Sequence, residues 1–412
     1  MRSTVVLDHG AYTIKAGIAS GSTMNDPRLV QNAIIRGRTD NRSFIGDQLD
    51  DCSDFSSLFY RLPFERGFLT NWGVERTIWD RLYKNVLKVD SKESRLVITE
   101  PCFNLPTIQE AYDQMIFEEY EFASCYRTIG PQLCIFNDLG SLFGDKPGSV
   151  PDCSVVVDSG FSFTHIVPFV KGKPVAKAIR RINLGGKLLT NQLKETVSFR
   201  HYDMMEETYI INQVKETCCF VSRDIYSDLD ICRKSYRENT IIQEYVLPDF
   251  THHSQGHVRP KQEKQKQSDQ TLDRSVDQIL PMNNERFMIP EILFNPSDIG
   301  MNQAGIPEAI SQAIEACEPE YHGLLYANIV LVGGNAKLNG YRERIEQDLR
   351  VMVPSEYELR LAVPEDPIGY AWKGGNRLAS LGTKADLQKR FVTRKEYMEY
   401  GSDICRRRFN SL

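Results

Sequence analysis

The sequence predicts an α/β fold of two similar lobes facing each other across a central cleft, and three segments carry that expectation. Residues 3–17, STVVLDHGAYTIKAG, and 153–168, CSVVVDSGFSFTHIVP, each read as an apolar strand, an aspartate, one residue, a glycine and a second β-rich stretch. Each is a β-hairpin with a D-x-G turn, and its recurrence at lobe-length separation suggests an internal repeat. Residues 328–334, NIVLVGG, are a buried strand running into a glycine turn ahead of a helix. A chain of 412 residues, 41% of them hydrophobic, has length and apolar surface enough for two or three cores.

Between these landmarks the periodicities alternate as an α/β chain requires. After the first hairpin comes a polar, irregular stretch over 27–57, then a predicted helix over 71–83, NWGVERTIWDRLY, with apolar residues at helical spacing. Residues 95–99, RLVIT, are a strand, and 107–120 an amphipathic helix with Ile108, Ala111, Met115 and Ile116 on one side. The second hairpin is followed by predicted helices over 187–198 and 207–229, and the strand at 328–334 by one over 341–349. One stretch breaks the pattern. In residues 251–275, THHSQGHVRPKQEKQKQSDQTLDRS, only Val258 and Leu272 are available to a core, so a loop or disordered insertion is expected.

Fifty basic against 55 acidic side chains, a formal charge of −5, argue against a chain whose main business is coating a polyanion. Arg406, Arg407 and Arg408 read first as a solvated face, with phosphate contact as the second reading. The ten cysteines are dilute, with no C-x-x-C pair and no zinc spacing, which points to free thiols in a reducing compartment. No signal-peptide pattern opens the chain, and no stretch approaches the roughly 20 apolar residues of a membrane helix. A soluble intracellular protein without a membrane partner is expected.

The D-x-G turns suit phosphate binding. Chain reversal at Gly10 turns backbone N–H groups towards one point, and Asp8 stands close enough to hold a hydrated magnesium ion. Asp158 and Gly160 repeat the device, while Lys15 on the first return strand supplies positive charge. Gly333 and Gly334, at a strand end, let backbone approach a flat ligand closely. Alone, each is ordinarily a tight turn. Together, at this separation, they match the arrangement of the superfamily of actin, Hsp70 and sugar kinases.

Over nearly its whole length the chain resembles the actin-related proteins, in GFLTNWGVERTIW, VVVDSGFSFTHIVP, RRINLGGKLLTNQL, VKETCCFVSRD, NERFMIPEILFNPSDIG, NIVLVGGNAKLNGYRERI and KEYMEYGSDICRRRF. The forms SGFSFTHIVPF, FNPSDIGMNQAGIPEAI and PEDPIGYAWKGG resemble most the members that serve as nuclear subunits of SWR/SRCAP-type chromatin remodellers, which exchange a variant histone into nucleosomes. The resemblance implies four subdomains: 1–29 with 66–150 and 367–412; 30–65; 151–184 with 302–366; and 185–301, which carries the insertion 251–275. It implies ATP with magnesium as a structural cofactor. Asp8 and Asp158 would hold the metal through water, Gly10 and Gly160 would sit in the phosphate loops, and Lys15 would lie near the terminal phosphates. Lys215 and Glu216, otherwise a solvated helix pair, are placed by the adenosine together with Gly333 and Gly334, and His165, after Thr164, near the attacking water.

Departures from the family pattern shape the functional expectation. The first loop reads HGAY where actins have N-G-S-G, so Ala11 removes a hydroxyl donor and Tyr12 adds bulk. The second has Phe161 and Ser162 where actins carry Asp-Gly. Aligned on the S-L-aromatic triplet of CIFNDLGSLFG, Asn137 stands at the glutamine that positions the hydrolytic water in actins, one methylene shorter. Phosphoryl transfer to water depends almost wholly on positioning and electrostatics, so hydrolysis is expected to be weak or absent. The segment 32–44, shorter than the loop by which actin grips its neighbour, and the insertion argue for a single copy in a heteromeric complex.

The resemblance therefore implies a non-catalytic assembly scaffold and nucleosome-contacting module, nuclear with the cytoplasm as second location. Its partners would be the remodeller's other subunits, including the motor ATPase scaffold and a small zinc-finger subunit, with histones and DNA beyond them. Two other classes stay open: an active ATPase or sugar-kinase-type phosphotransferase, and a filament-forming cytoskeletal actin.

Overall fold

The computed structural model describes residues 3–20, 26–37, 42–250, 255–260, 278–381 and 384–409. Its first sheet has six strands in the order Val392–Thr393, Ser124–Ile129, Arg95–Glu100, Thr4–His9, Thr13–Ile18, Arg28–Gln31. The first hairpin lies within it: Thr4–His9 runs antiparallel to Thr13–Ile18, with Asp8 opposite Lys15, and parallel to Arg95–Glu100. Val5, Val6 and Leu7 are fully buried, as a continuous apolar run in a sheet covered on both faces should be. The second sheet repeats the plan. Cys153–Ser159 pairs antiparallel with Thr164–Val170 and parallel with Ile329–Val332, which sets Asp158 opposite His165 and beside Val332. Both D-x-G turns thus sit at the same end of equivalent strands.

Strand alternation fixes how the lobes meet. Val155 and Val157 point into the second lobe's core, among Leu189, Ile310 and Ile345 of its helices. Val156 points the other way, into an apolar layer shared with Cys102, Ile129, Cys134 and Tyr370 of the first lobe. That dry layer holds the lobes together behind the cleft. The helix Tyr370–Leu381 packs on the first hairpin, its buried Trp372 donating from Nε1 to the Val6 carbonyl at 3.0 Å. Gly17 permits this approach, since a Cβ there would come within 2.6 Å of the indole.

Local elements follow the expected periodicities with identifiable departures. The helix Trp72–Arg81 is capped by Asn71, whose Oδ1 accepts the Val74 N–H at 3.2 Å, and it widens into a π turn over Leu82–Val86. Pro106–Gln114 widens likewise over Met115–Glu119. The helix expected over 207–229 is two, Thr208–Cys218 and Ile225–Cys232. Between them Phe220 N–H donates to the Arg286 carbonyl and Val221 N–H to that of Asn339, so distant backbone replaces the helical acceptors. The insertion also needs correction. His257–Arg259 is a strand paired with Gln243–Val246, and Val258 packs on the second lobe's core, while 251–254 and 261–275 lie outside the described residues. Around 32–44, Ile34–Arg36 and Ser43–Ile45 are paired strands, and 38–41 lie outside the described residues.

All ten cysteines are free. Among the described residues no helix is long and apolar enough to cross a membrane.

Arg127 joins three elements. Buried, it donates from Nη1 to Asp113 Oδ1 at 2.7 Å and to the Gln109 carbonyl at 2.6 Å, its Nε lies 3.3 Å from Glu100 Oε1, and its guanidinium covers the Phe409 ring. Arg127→Ala would strand two buried carboxylates, and a loss of about 3–5 kcal/mol is expected, read from the urea unfolding midpoint. Arg127→Lys, which restores the charge without the fork, should recover part of it.

Candidate nucleotide cleft

A cavity of about 500 Å³ lies between the lobes. Asp8, Gly10, Lys15, Asp158, Gly160, His165, Lys215, Glu216, Gly333 and Gly334 all line it, so nearly every residue singled out in the sequence is brought to one place. Asn137 is not.

Asp8 and Asp158 approach from opposite lobes and flank the backbone of Gly130; an ideal Cβ there would lie 3.6 Å from Asp158 Oδ2 and 4.0 Å from Asp8 Oδ1. Asp8 Oδ1 accepts from the Thr99 hydroxyl at 2.8 Å, which in turn accepts from His9 N–H, and the Lys15 ammonium stands 3.2 Å from Asp8 Oδ2. Among the described residues no third acidic or imidazole group joins them as a ligand cluster, so the pair suits a hard cation held largely through water. Burial, and then the charge of Asp8, push the Asp158 carboxyl up to about 6. Burial, and then Arg181, push His165 down to about 3, and its buried Nε2 has no partner. The imidazole is therefore neutral near pH 7.

The third turn, close beside Asp158, is built for close approach. Gly333 has φ +90°, and a Cβ there would lie 2.3 Å from the Ser159 carbonyl oxygen, so no side chain fits. A Cβ on Gly334 would meet nothing within 4 Å, which leaves that backbone face open. Asn335 ties this turn to the second hairpin, donating from Nδ2 to Ser159 Oγ and to the Gly160 carbonyl. Lys215 is buried, which lowers its pKa, and it donates to the Gly186 carbonyl, Thr190 Oγ1 and Asn212 Oδ1 at 3.2, 2.9 and 2.9 Å. All three of its protons are engaged within the lobe, so it anchors the wall. Glu216 accepts from Asn212 Nδ2 at 2.8 Å.

The phosphate end departs from expectation. Gly10 N–H donates to the Asp8 carbonyl and Gly160 N–H to the Phe163 carbonyl, so both glycine amides turn into their own loops. Tyr12 and Phe161 stack across the cleft with centroids 4.8 Å apart and planes 22° apart, and Asn212 Nδ2 donates to the Tyr12 hydroxyl at 3.3 Å.

Asn137 is corrected. Its Nδ2 donates to the Tyr370 carbonyl at 2.8 Å, holding a helix start outside the cavity. The strand Ser124–Ile129 ends facing the aspartates at Gly130, and the chain reaches Asn137 only after the helix Gly130–Cys134. Counting back from the S-L-aromatic triplet stops short of that strand end. Gln132, the nearer amide, is buried and donates to the Gly172 carbonyl.

The C-terminal arginines are likewise bonded within the chain. Arg406 pairs with Glu110 and Asp403, Arg407 reaches the Asp403 carbonyl, and Arg408 donates to the Phe391 carbonyl and pairs with Glu396.

The sequence model of the actin family matches residues 1–410. The chain belongs to the actin family. It is 42% identical over 421 residues to actin-like protein ARP6 of Cryptococcus neoformans, which covers 99% of this chain and 84% of that relative. It is 40% identical over 405 residues to actin-related protein 6 of Drosophila melanogaster, covering 97% and 98%, and 38% identical over 431 residues to actin-related protein 6 of rice, covering 98% of each. The resemblance read from the motifs thus extends along the whole of this actin-family chain.

Thr99, Gly130, Asn212 and Asn335 are among the lining residues that were not singled out in the sequence. Asn212 had a usable signal, since it lies three residues before Lys215 on the predicted helix and so shares its face. Asn335 directly follows the Gly-Gly turn.

Two buried groups give this actin-family cleft opposed pH dependences. His165 takes up its proton only near pH 3 when folded but near its ordinary 6.5 when unfolded, so its contribution to stability is present above 6.5 and lost as pH falls through that window. Asp158 keeps its proton up to about 6 when folded against 3.8 unfolded, so its contribution is lost as pH rises from about 4 to 6. Relative to wild type, His165→Gln should make the melting temperature fall between pH 4 and 6, and Asp158→Asn should make it climb. Each effect should be on the order of 2 kcal/mol. Parallel melting curves for all three proteins across that range would count against both assignments.

Proposed function

We propose that this actin-family chain is a non-catalytic scaffold subunit of a nuclear histone-exchange remodeller. The observation that carries the non-catalytic part is the backbone facing Asp8 and Asp158: Gly130 has no side chain, and the amides of Asn137, Asn212 and Asn335 are all bonded to protein. Hydrolysis needs an oriented water, and among the described residues no side-chain amide stands free at that wall to orient one beside the neutral His165. Membership of the remodeller is supported by full-length likeness to proteins named actin-related protein 6 and by the motif forms shared with the remodeller subunits. The internally bonded arginines at the C-terminal end favour protein neighbours over DNA there.

The actin fold typically carries a nucleotide with magnesium. Here Asp8 and Asp158 would hold the cation, and the open backbone at Gly334 with Glu216 would take the nucleoside. Such a ligand would add to cleft closure by mass action without turnover.

Tagged full-length protein should retain a remodeller's motor scaffold subunit and histones from nuclear extract; recovery of cytoskeletal partners alone would overturn the assignment. Phosphate release from ATP should stay at background and be unchanged in Asp158→Ala. Steady release that disappears in that variant would instead establish an ATPase.

A further inference from the structure

We propose that the cleft takes a nucleoside monophosphate in preference to a triphosphate, because the stacked rings of Tyr12 and Phe161 occupy the space between the two D-x-G turns. The proposal rests on reading the cleft as a nucleotide site and assigns its ligand class.

Three observations converge. The first is the stack itself: two rings from opposite lobes at 4.8 Å, with the Tyr12 hydroxyl also accepting from Asn212, so one residue of the first lobe bonds to two of the second. Terminal phosphates need that same inter-loop space, and they would have to part the rings and break the hydrogen bond. The second is donor supply. Gly10 and Gly160 direct their N–H groups into their own loops, the Lys15 ammonium is paired with Asp8, and all three Lys215 protons are engaged within its lobe. A polyphosphate would have to compete for these engaged donors, with carboxylates on both sides. The third is where space remains. Gly334 presents open backbone in the same cavity, whose lining also includes Glu216 and Lys337, and a base and ribose with one phosphate can be accommodated there.

Calorimetric titration of the full chain with AMP, ADP and ATP, each with magnesium, tests this. Affinity should fall as phosphates are added, with ATP about tenfold weaker than AMP, a difference of about 1.4 kcal/mol. The double variant Tyr12→Gly, Phe161→Asp removes both rings and should reverse the order by strengthening ATP while leaving AMP within about twofold. Tyr12→Phe, which keeps the ring, should retain the wild-type order. If the double variant fails to give a cooperative melt, Phe161→Ala alone should narrow the AMP–ATP gap. ATP binding more tightly than AMP in the wild type, or a wild-type order in the ring-free variants, overturns the proposal and leaves the cleft a nucleotide site. Absence of binding by all three nucleotides at millimolar concentration overturns both. Capture of partners and release of phosphate, which decide the scaffold assignment, do not bear on this ordering.

Discussion

Two carboxylates from different lobes are held on either side of one glycine, and much of the architecture follows from keeping them there. Asp8 and Asp158 are like charges in a half-dry cleft, a juxtaposition that costs free energy unless it is compensated. Compensation comes from Lys15, which the hairpin register sets opposite Asp8, and from the Thr99 hydroxyl on the neighbouring parallel strand. The second aspartate sheds its charge only in mildly acidic solution, since burial and the charge of Asp8 raise that carboxyl to about 6. The distance between them is set from behind, by the apolar layer in which Val156 of one sheet meets Ile129 of the other. A side chain at Gly130 would stand between them.

In front of the aspartates, the cleft is bridged by protein. Tyr12 stacks on Phe161; Arg181 lies over both Phe163 of its own lobe and Phe68 of the other; and at the outer rim Ser57 gives its N–H and hydroxyl to the Glu207 carboxylate while Phe55 stacks on Tyr209. An aromatic pair contributes about 0.5–1.5 kcal/mol beyond its buried area, and a hydrogen bond to a charged group about 1.5–3 kcal/mol. Saturation by a ligand at a hundred times its Kd gives about 2.7 kcal/mol. The built-in bridges are therefore of the same order as the stabilisation a bound nucleotide supplies, so they hold the lobes together with or without one.

How much of this was legible in the sequence depended on whether the determining contact was local. The hairpins were readable because an apolar run, a D-x-G turn and a return strand are specified by adjacent residues, and the helix at Trp72 because its apolar residues recur at helical spacing. The break at Phe220 was not, because its backbone partners, Arg286 and Asn339, lie far along the chain. The strand His257–Arg259 was hidden by polar composition, its pairing supplied by Gln243–Val246 rather than by its own side chains. Within the cleft, the family pattern located the lining residues well. It could not show that Lys215 points its protons inward, or that two bulky departures from the pattern face each other. Asn137 failed for the opposite reason: a local triplet was read as a ruler for a distance that the strand end, not the helix, determines.

The outer rim has a kinetic consequence. Glu207 and Tyr209 meet Ser57 and Phe55 across the rim, so a motion that spreads the lobes there must part those contacts together. Such spreading is then one concerted event, and its frequency is set by the rim rather than by the cavity behind it. A ligand large enough to need the lobes spread in order to pass would exchange at that frequency, whatever its equilibrium affinity.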